Sequence, residues 1–349
     1  MNIRTAISLA TQSLKKSASP VLDAEVLLSF VLKKPKEFLY GHPDFKLSEI
    51  QDSKFRILIR KRANHWPVAY LTGHKEFFGL DLLVTKDVLV PRPETELLVE
   101  LALERLKIRD LRFKNIVEVG TGSGNIIISL VIQSEARNLR FFATDTSAKA
   151  LAIARRNARR NGVASKIKFL RGNLLKPSTI RPAHGGEQSR TTSSGNKSFY
   201  SLSKRKRVEG LLIVANLPYL TEKQYRANLD LKHEPKGALV GGKDGMKYFR
   251  EIFEQLHTYL PSPGVGRPAR LNGRSGGVAA CLPARQGGRE RSQSPFDSAQ
   301  GQNGITILIE HDPGQKGKLK KLISQHFPQA EVKFHKDLAG RFRVCSFEI

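Results

Sequence analysis

The sequence predicts an α/β fold, a doubly wound parallel sheet of seven strands preceded by a small helical bundle and a β-hairpin linker. Three observations carry this expectation. From Asn115 onward, short apolar runs alternate with stretches of helical length, as strands alternate with crossover helices in a parallel sheet. A glycine-rich turn, Gly120-Thr121-Gly122-Ser123-Gly124, follows directly on the first of those runs. Over residues 1–70 the apolar residues keep helical spacing instead.

In that first stretch Leu9, Leu14, Val21, Leu22, Val26, Leu27, Leu28, Val31, Leu32, Phe38, Leu39, Ile57, Leu58 and Ile59 recur at intervals that suit amphipathic turns, with breaks near Pro20, Pro35 and Gly41-His42-Pro43. No catalytic constellation lies there, so residues 1–70 are expected to pack or to dock a substrate. Between Trp66 and Val90 the pattern changes. Pro67-Val68-Ala69-Tyr70-Leu71-Thr72-Gly73, Glu76-Phe77-Phe78-Gly79-Leu80, Leu82-Leu83-Val84 and Val88-Leu89-Val90 read as extended segments punctuated by glycine, hence a hairpin linker over residues 71–90. Pro91-Arg92-Pro93-Glu94-Thr95-Glu96 then reads as a helix start, with prolines fixing the approach and acidic residues in the first turn.

Residues 91–349 are expected to form the sheet domain. Its strands fall at residues 116–119, 139–143, 167–170, 211–215 and 305–310, closed by a hairpin of 332–335 with 343–347 that makes the final pair antiparallel. Helices are expected at 125–132, 147–161, 246–260 and 316–326. Residues 178–208 and 262–302 break this rhythm. They are rich in Gly, Ser, Arg, Pro and Gln and poor in apolar side chains, so they cannot bury enough surface to offset their ordering entropy and read as disordered insertions.

Composition narrows the function classes. With 349 residues, 40% of them hydrophobic, the chain can bury a sizeable core, and no apolar run is long enough to span a membrane. The first residues lack a continuous apolar signal core, so a cytoplasmic protein is expected. Two cysteines, Cys281 and Cys345, are too few for a disulfide framework or a zinc site, and the nine histidines form no ligand-spaced cluster. No metal is expected. The net charge of +27 is compatible with RNA contact but does not require it, and part of it sits in the two insertions, with seven Lys/Arg against one acidic residue in 178–208 and six against two in 262–302.

Two strand ends point to one ligand. The glycines at 120, 122 and 124 are spaced by two, whereas a dinucleotide fingerprint wants its third glycine three residues after the second. That spacing favours S-adenosylmethionine, which has no pyrophosphate to cradle. Glu118, at the end of the strand before the turn, is placed to accept hydrogen bonds from the cofactor's amino-acid portion, directly or through water. The next strand ends at Asp145, twenty-one residues beyond Gly124, where a carboxylate can take both ribose hydroxyls.

A later strand runs into Asn216-Leu217-Pro218-Tyr219. If the Asn216 side-chain oxygen and the Leu217 carbonyl each accept one N–H, a planar amino group is fixed and its delocalised lone pair is biased toward the methyl carbon. Pro218 stiffens the turn, and the Tyr219 ring can stack on the flat face of the substrate group. Adenine N6, cytosine N4 and a glutamine amide all satisfy this geometry.

The flanking motifs decide among them by resemblance. Pro67 to Gly73, Glu76 to Leu80, Val90-Pro91-Arg92-Pro93-Glu94-Thr95-Glu96, the glycine turn, Asp145, Asn216 to Tyr219, Glu234-Pro235, Gly241-Gly242-Lys243-Asp244-Gly245 and Lys336-Asp337-Leu338-Ala339-Gly340-Arg341 follow one another in the order of the release-factor glutamine methyltransferase family (HemK/PrmC), which this chain resembles outside the two insertions. The resemblance implies a class I S-adenosylmethionine-dependent methyltransferase domain. It implies transfer to the glutamine of the Gly-Gly-Gln loop of peptide chain release factors. Carried over by position, Glu118, Gly120, Thr121, Gly122, Ser123, Gly124, Asp145, Asn173, Leu174 and Asn216 would serve the cofactor. Asn216, Leu217, Pro218 and Tyr219 would be catalytic and hold the glutamine, with Arg92 and Glu94 also on the substrate. The chain departs from the family pattern at three places: Leu217 replaces a proline, Asn173 an aspartate, and Glu310-His311-Asp312 a Glu-Ile-Gly.

Deletion of residues 178–208 and 262–302 together is expected to leave a cooperative unfolding transition, because these segments offer little to a core. Loss of that transition in a calorimetric scan would show that they are structural.

Overall fold

The computed structural model describes residues 1–107, 113–134, 138–177, 210–257 and 304–349, so both expected insertions lie outside the described residues. The chain opens with helices α1 (Ile3–Ser13), α2 (Pro20–Leu32), α3 (Lys36–Gly41) and α4 (Glu49–Ala63). Their ends are set locally. The Asn2 side chain caps α1, Pro20 stands in the first turn of α2, and Ser48 with Gln51 forms a capping box on α4. Ile3, Ala6, Ala10, Leu27, Leu28, Val31, Phe55 and Leu58 pack as one small core. Beside it the partly buried pair Arg62–Asp23, at 2.7 Å, ties α4 to α2.

The linker corrects one expectation. Val68–Thr72 is a short helix, α5, not an extended segment. Pro67 caps its start, and Gly73, left-handed at φ 81°, closes it by donating its N–H to the Ala69 carbonyl at 2.8 Å. Proline and glycine bound a strand or a helix equally well, and five residues carry too little periodicity to choose. The hairpin itself is present as β1 (His74–Phe77) and β2 (Leu80–Leu83), turned through Phe78 and Gly79, both at positive φ. Residues 88–90 join no strand; the Val90 N–H is donated to buried Glu234 at 3.0 Å. A 3-10 turn, Pro93–Thr95, then leads into α6 (Glu96–Lys107) as expected.

The strands are β3 (Asn115–Val119), β4 (Arg140–Asp145), β5 (Ile167–Asn173), β6 (Lys176–Pro177), β7 (Leu211–Asn216), β8 (Ile305–Glu310), β9 (Lys333–Lys336) and β10 (Phe342–Glu348), in the order β6-β5-β4-β3-β7-β8-β10-β9. The pairs β5-β4, β4-β3, β3-β7 and β7-β8 are parallel, and β10 is antiparallel to both neighbours. Apart from the two-residue β6 folded back on β5, this is the expected sheet of seven with an antiparallel final pair.

Side chains alternate across the sheet with period two. Val117, Ile213 and Ile307 face α10 (Lys247–His257) and α11 (Lys316–His326), whose labels leave α7 (Asn125–Gln133), α8 (Ala148–Arg160) and α9 (Glu222–Ala227) before them. Ile116, Leu212 and Leu308 face α6 and α7. Asn157 of α8, fully buried, pairs both backbone groups of Leu83 and donates to the Ser123 carbonyl, so the hairpin is fastened to the glycine turn. Among the described residues no helix is long and apolar enough to cross a membrane, and no three His, Cys, Asp or Glu stand together to hold a metal.

Glu118 fixes the glycine turn from below. It is 1% exposed, and its Oε2 accepts from the Thr121 hydroxyl at 2.5 Å and the Ile127 N–H at 3.1 Å, tying β3 to the turn and to α7. Burial pushes its pKa up to about 8, with the Asp145 charge adding to the rise and those two hydrogen bonds opposing it. The folded, ligand-free protein therefore keeps a proton at neutral pH that an unfolded chain releases near its ordinary value of 4.5. More protons are bound in the folded state across that window, so this contribution to stability is lost as pH rises through it, by at most about 1.4 kcal/mol per pH unit. Glu118→Gln should gain in Tm relative to the wild type between about pH 5 and about pH 8.5. A difference in melting temperature that does not change with pH would contradict this account.

Candidate functional site

The carboxyl ends of β3, β4, β5 and β7 surround a cavity of about 420 Å³. Parallel pairing puts them there together: Val119 lies opposite Thr144 on one side and Ala215 on the other, and Asn216 lies opposite Glu310. Among the residues singled out from the sequence, Gly120, Gly122, Asp145, Asn173, Leu174, Asn216, Leu217 and Pro218 line it. Further walls come from Asp87, Val88 and Leu89 of the linker, from Pro235, Gly237 and Ala238, and from Lys247, Tyr248 and Glu251 of α10.

The glycine turn spends most of its N–H groups inside the fold. Gly120 and Thr121 both donate to the Thr144 carbonyl at 2.9 Å, Gly122 to Asp145 Oδ2 at 2.9 Å, and Gly124 to the Thr121 carbonyl at 2.8 Å. A phosphate cradle needs those donors free. What the turn offers instead is close approach: at Gly120, φ 75°, a Cβ would stand 3.7 Å from Leu217 Cδ2, so the turn and the tetrapeptide face each other across the cavity floor. Gly124 has a different reason to be glycine, since a Cβ there would lie 2.9 Å from Ile128 Cδ1 and 3.2 Å from Ala154 Cβ.

Asp145 points into the cavity with each oxygen already accepting one backbone N–H, from Gly122 and from Ser147. Burial raises its pKa, and these two bonds, with the Thr146 backbone, oppose the rise. A carboxylate oxygen has a second lone pair, so both remain able to accept. Leu174, buried and at φ 55°, is held by the Thr144 hydroxyl on its carbonyl at 2.9 Å, and Asn173 beside it is exposed at the rim.

The tetrapeptide is braced on several sides. Asn216 Nδ2 donates to the Thr95 hydroxyl at 3.0 Å. Gln315 Nε2 donates to the Tyr219 carbonyl at 2.7 Å, and the Tyr219 hydroxyl donates to Glu310 Oε1 at 3.1 Å. A Cβ on Gly241 would run into the Pro218 carbonyl, and one on Gly245 into the Tyr219 carbonyl and Gln315. Asn216 Oδ1 and the Leu217 carbonyl accept no hydrogen bond among the described residues.

Several expected site residues stand elsewhere. Glu118, Thr121 and Ser123 are 1% exposed and lie beneath the turn, outside the cavity lining. Tyr219 does not line the cavity; burial and Glu310 hold its hydroxyl well above the usual tyrosine pKa. Arg92 forms an ion pair with buried Glu234, and Glu94 lies 3.8 Å from Arg343 Nη2, so both are engaged in holding the chain before α6 against the sheet domain. Conversely, Thr95, Glu310 and Gln315 carry the support of the tetrapeptide without having been singled out for it. Gly241 and Gly245 did leave a signal, the glycine-rich run itself.

Residues 5–73 match the family model of the PrmC N-terminal domain, and residues 94–181 match that of the methyltransferase small domain. A release factor glutamine methyltransferase from Coxiella burnetii is 33% identical over 265 residues, 76% of this chain and 84% of that protein. One from Burkholderia pseudomallei is 35% identical over 257 residues, 73% and 81% of the two chains. One from Bacillus anthracis aligns over 100% of both chains at 26% identity. Among solved structures, a human methyltransferase 10 domain containing protein superposes with a TM-score of 0.41 at 13% identity, over 78% of this chain and 88% of that one. The chain belongs to the release factor glutamine methyltransferase family.

Proposed function

We propose that this protein transfers the methyl group of S-adenosylmethionine to the side-chain amide nitrogen of the glutamine in the Gly-Gly-Gln loop of peptide chain release factors. The observation that carries the reading is the pair of unengaged acceptors, Asn216 Oδ1 and the Leu217 carbonyl, beside the cavity. A primary amide presents two N–H donors on one planar nitrogen, and two acceptors held by a rigid backbone match it.

The cavity suits the cofactor. Asp145 has lone pairs left for the ribose hydroxyls, Leu174 and Asn173 offer an apolar face and an amide beside an adenine, and the turn at Gly120 and Gly122 is open where a side chain would intrude. Bound S-adenosylmethionine supplies an electrophilic methyl group on its sulfonium. Asn216 and Leu217 hold the substrate nitrogen with its lone pair toward that methyl, and Gln315, Gly241 and Gly245 keep the holding groups from shifting. No side-chain base is required, because a methylated amide nitrogen is strongly acidic and releases its extra proton to water.

The helical domain is the proposed dock for the release factor. The segment just after α4 meets the loop behind the cavity: the Trp66 ring stacks on His233 at 4.4 Å, and His65 Nδ1 lies 2.9 Å from Asp230 Oδ1. Pro235, Gly237 and Ala238 of that loop also line the cavity, so a protein held on the helices lies near the reacting atoms. The cytoplasm, where release factors act, is the corresponding location.

Labelled methyl from S-adenosylmethionine should appear on a purified release factor, not on a factor whose loop glutamine is replaced, and not on total RNA. Asn216→Ala should lower kcat by at least about a hundredfold with the melting temperature within a few degrees of the wild type. Label on RNA alone would replace the glutamine reading by an amino-methylation of nucleic acid.

A further inference from the structure

We propose that the outer edge of the sheet, β5 and β6 with α8 packed over them, is a docking surface for the phosphate backbone of duplex RNA. Residues 146–177, which build that edge, hold nine Lys or Arg and no Asp or Glu. The net charge of +27 belongs to the whole chain, so a positive sign alone does not single this edge out. The absence of acidic residues among the basic ones does.

The fold gathers these charges in one place. β6 and β5 end the sheet order. α8 buries Leu151, Ala154, Asn157 and Ala158 and turns Arg155, Arg156, Arg159 and Arg160 to solvent. Residues four apart share one row of a helix, about 6 Å apart along its axis, so these arginines form two rows. The row of Arg156 and Arg160 runs beside the hairpin, where Asp81 takes Arg160 at 3.2 Å. The row begun by Arg155 runs beside β5: its guanidinium lies 5.8 Å from the Phe169 ring centroid and donates to the Phe169 carbonyl at 3.3 Å. Arg171, on the same face of β5 as Phe169, donates to the Thr146 carbonyl at 3.1 Å. Carbonyl bonds of this kind hold a guanidinium in place without neutralising it. Exposed Lys166 and Lys176 flank the two ends of β5.

Lys149 and Arg160 have carboxylate partners in Asp87 and Asp81. Arg155, Arg156, Arg159, Lys166, Arg171 and Lys176 have none among the described residues. The dipole of α8 favours cations in its last turn, which accounts for Arg159 and Arg160 but not for the others. Like charges without counter-charges repel one another, and a polyanion that displaces their counterions relieves this. The occupant is a duplex, because unpaired bases are held on exposed aromatic rings, and the one aromatic residue of 146–177, Phe169, lies half-buried under Arg155. The assignment to RNA rests on the proposed function: release factors work on the ribosome, which exposes duplex RNA, so this edge would hold the enzyme where its substrate acts. Contacts to the backbone alone carry no sequence preference.

The test follows binding of the full chain to a fluorescent RNA duplex of about 20 base pairs by anisotropy, from about 50 to about 200 mM KCl. Four to six phosphate contacts give log affinity against log salt a slope of about −4 to −5. Arg156→Gln with Arg159→Gln should reduce that slope by about 2 and weaken binding about tenfold to a hundredfold at the low-salt end. Lys318→Gln with Lys321→Gln removes the same charge from α11, which packs on β10, five strands from β5 or about 24 Å away. That exceeds the Debye length, so this pair should change affinity by less than about twofold. Salt-washed ribosomes should pellet the wild type, excess RNA duplex should release it, and the Arg156/Arg159 variant should stay in solution. Melting temperatures of both variants exclude unfolding as the cause. Equal weakening by the two pairs, or no binding of the duplex by the wild type, overturns the docking surface, and pelleting shared by all three proteins overturns the RNA assignment. Slower labelling of a free release factor by the Arg156/Arg159 variant would make the edge a protein dock instead. A wild type that labels no release factor overturns the proposed substrate, while the anisotropy still decides the surface, since it needs no methyl transfer.

Discussion

Register between parallel strands is the constraint on which this site depends. The residues that face the cavity sit at the ends of β3, β4, β5 and β7, and a slip of one residue would turn each onto the opposite face of the sheet. The apolar runs do not choose the register by themselves, because β7 and β8 are buried on both faces and read as almost continuously apolar. The choice is made at the ends. At one end the Gly210 carbonyl takes the N–H groups of Lys114 and Asn115. At the other, Asn216 meets Thr95, Glu310 meets Tyr219, and Gly120 lies against Leu217. Polar residues of the site thus also specify the sheet that carries them.

The same economy appears in the glycine turn. Its N–H groups close the turn onto Thr144, Asp145 and Thr121, which makes it rigid and leaves few donors for an anion. Glu118 below it and Asn157 behind it complete the bracing, the latter reaching the hairpin. The surface left to a ligand is shaped by missing side chains, with Asp145 at the end of β4 as one of its charged groups beside Asp87, Lys247 and Glu251. This suits a cofactor that binds through hydroxyls, an adenine ring and an amino-acid portion.

Much of this was legible in the sequence, for reasons that differ by element. Strands and helices from Asn115 onward follow from long apolar runs with clear periods, and the turn, Asp145 and the tetrapeptide follow from residue types with narrow chemical uses. Residues 67–73 were misread because proline and glycine punctuate short helices and short strands alike. Tyr219 and Glu118 were read as ligand contacts, and in the structure their side chains bond to Glu310 and to Thr121, since a residue's neighbourhood at a strand end does not say whether its side chain enters the cavity or the protein beneath it. Thr95 was legible only as part of a helix start. Its partner Asn216 is 121 residues away, and no local pattern marks a hydroxyl for such a contact.

The central claim is that two backbone-braced acceptors hold an amide nitrogen at the cavity. A crystal structure with S-adenosylhomocysteine and a Gly-Gly-Gln peptide tests it most directly. The account predicts that the glutamine NH₂ group donates to Asn216 Oδ1 and the Leu217 carbonyl, with the ribose hydroxyls on Asp145. A glutamine bound elsewhere, or an Asn216 that presents its Nδ2 to the peptide, would contradict it.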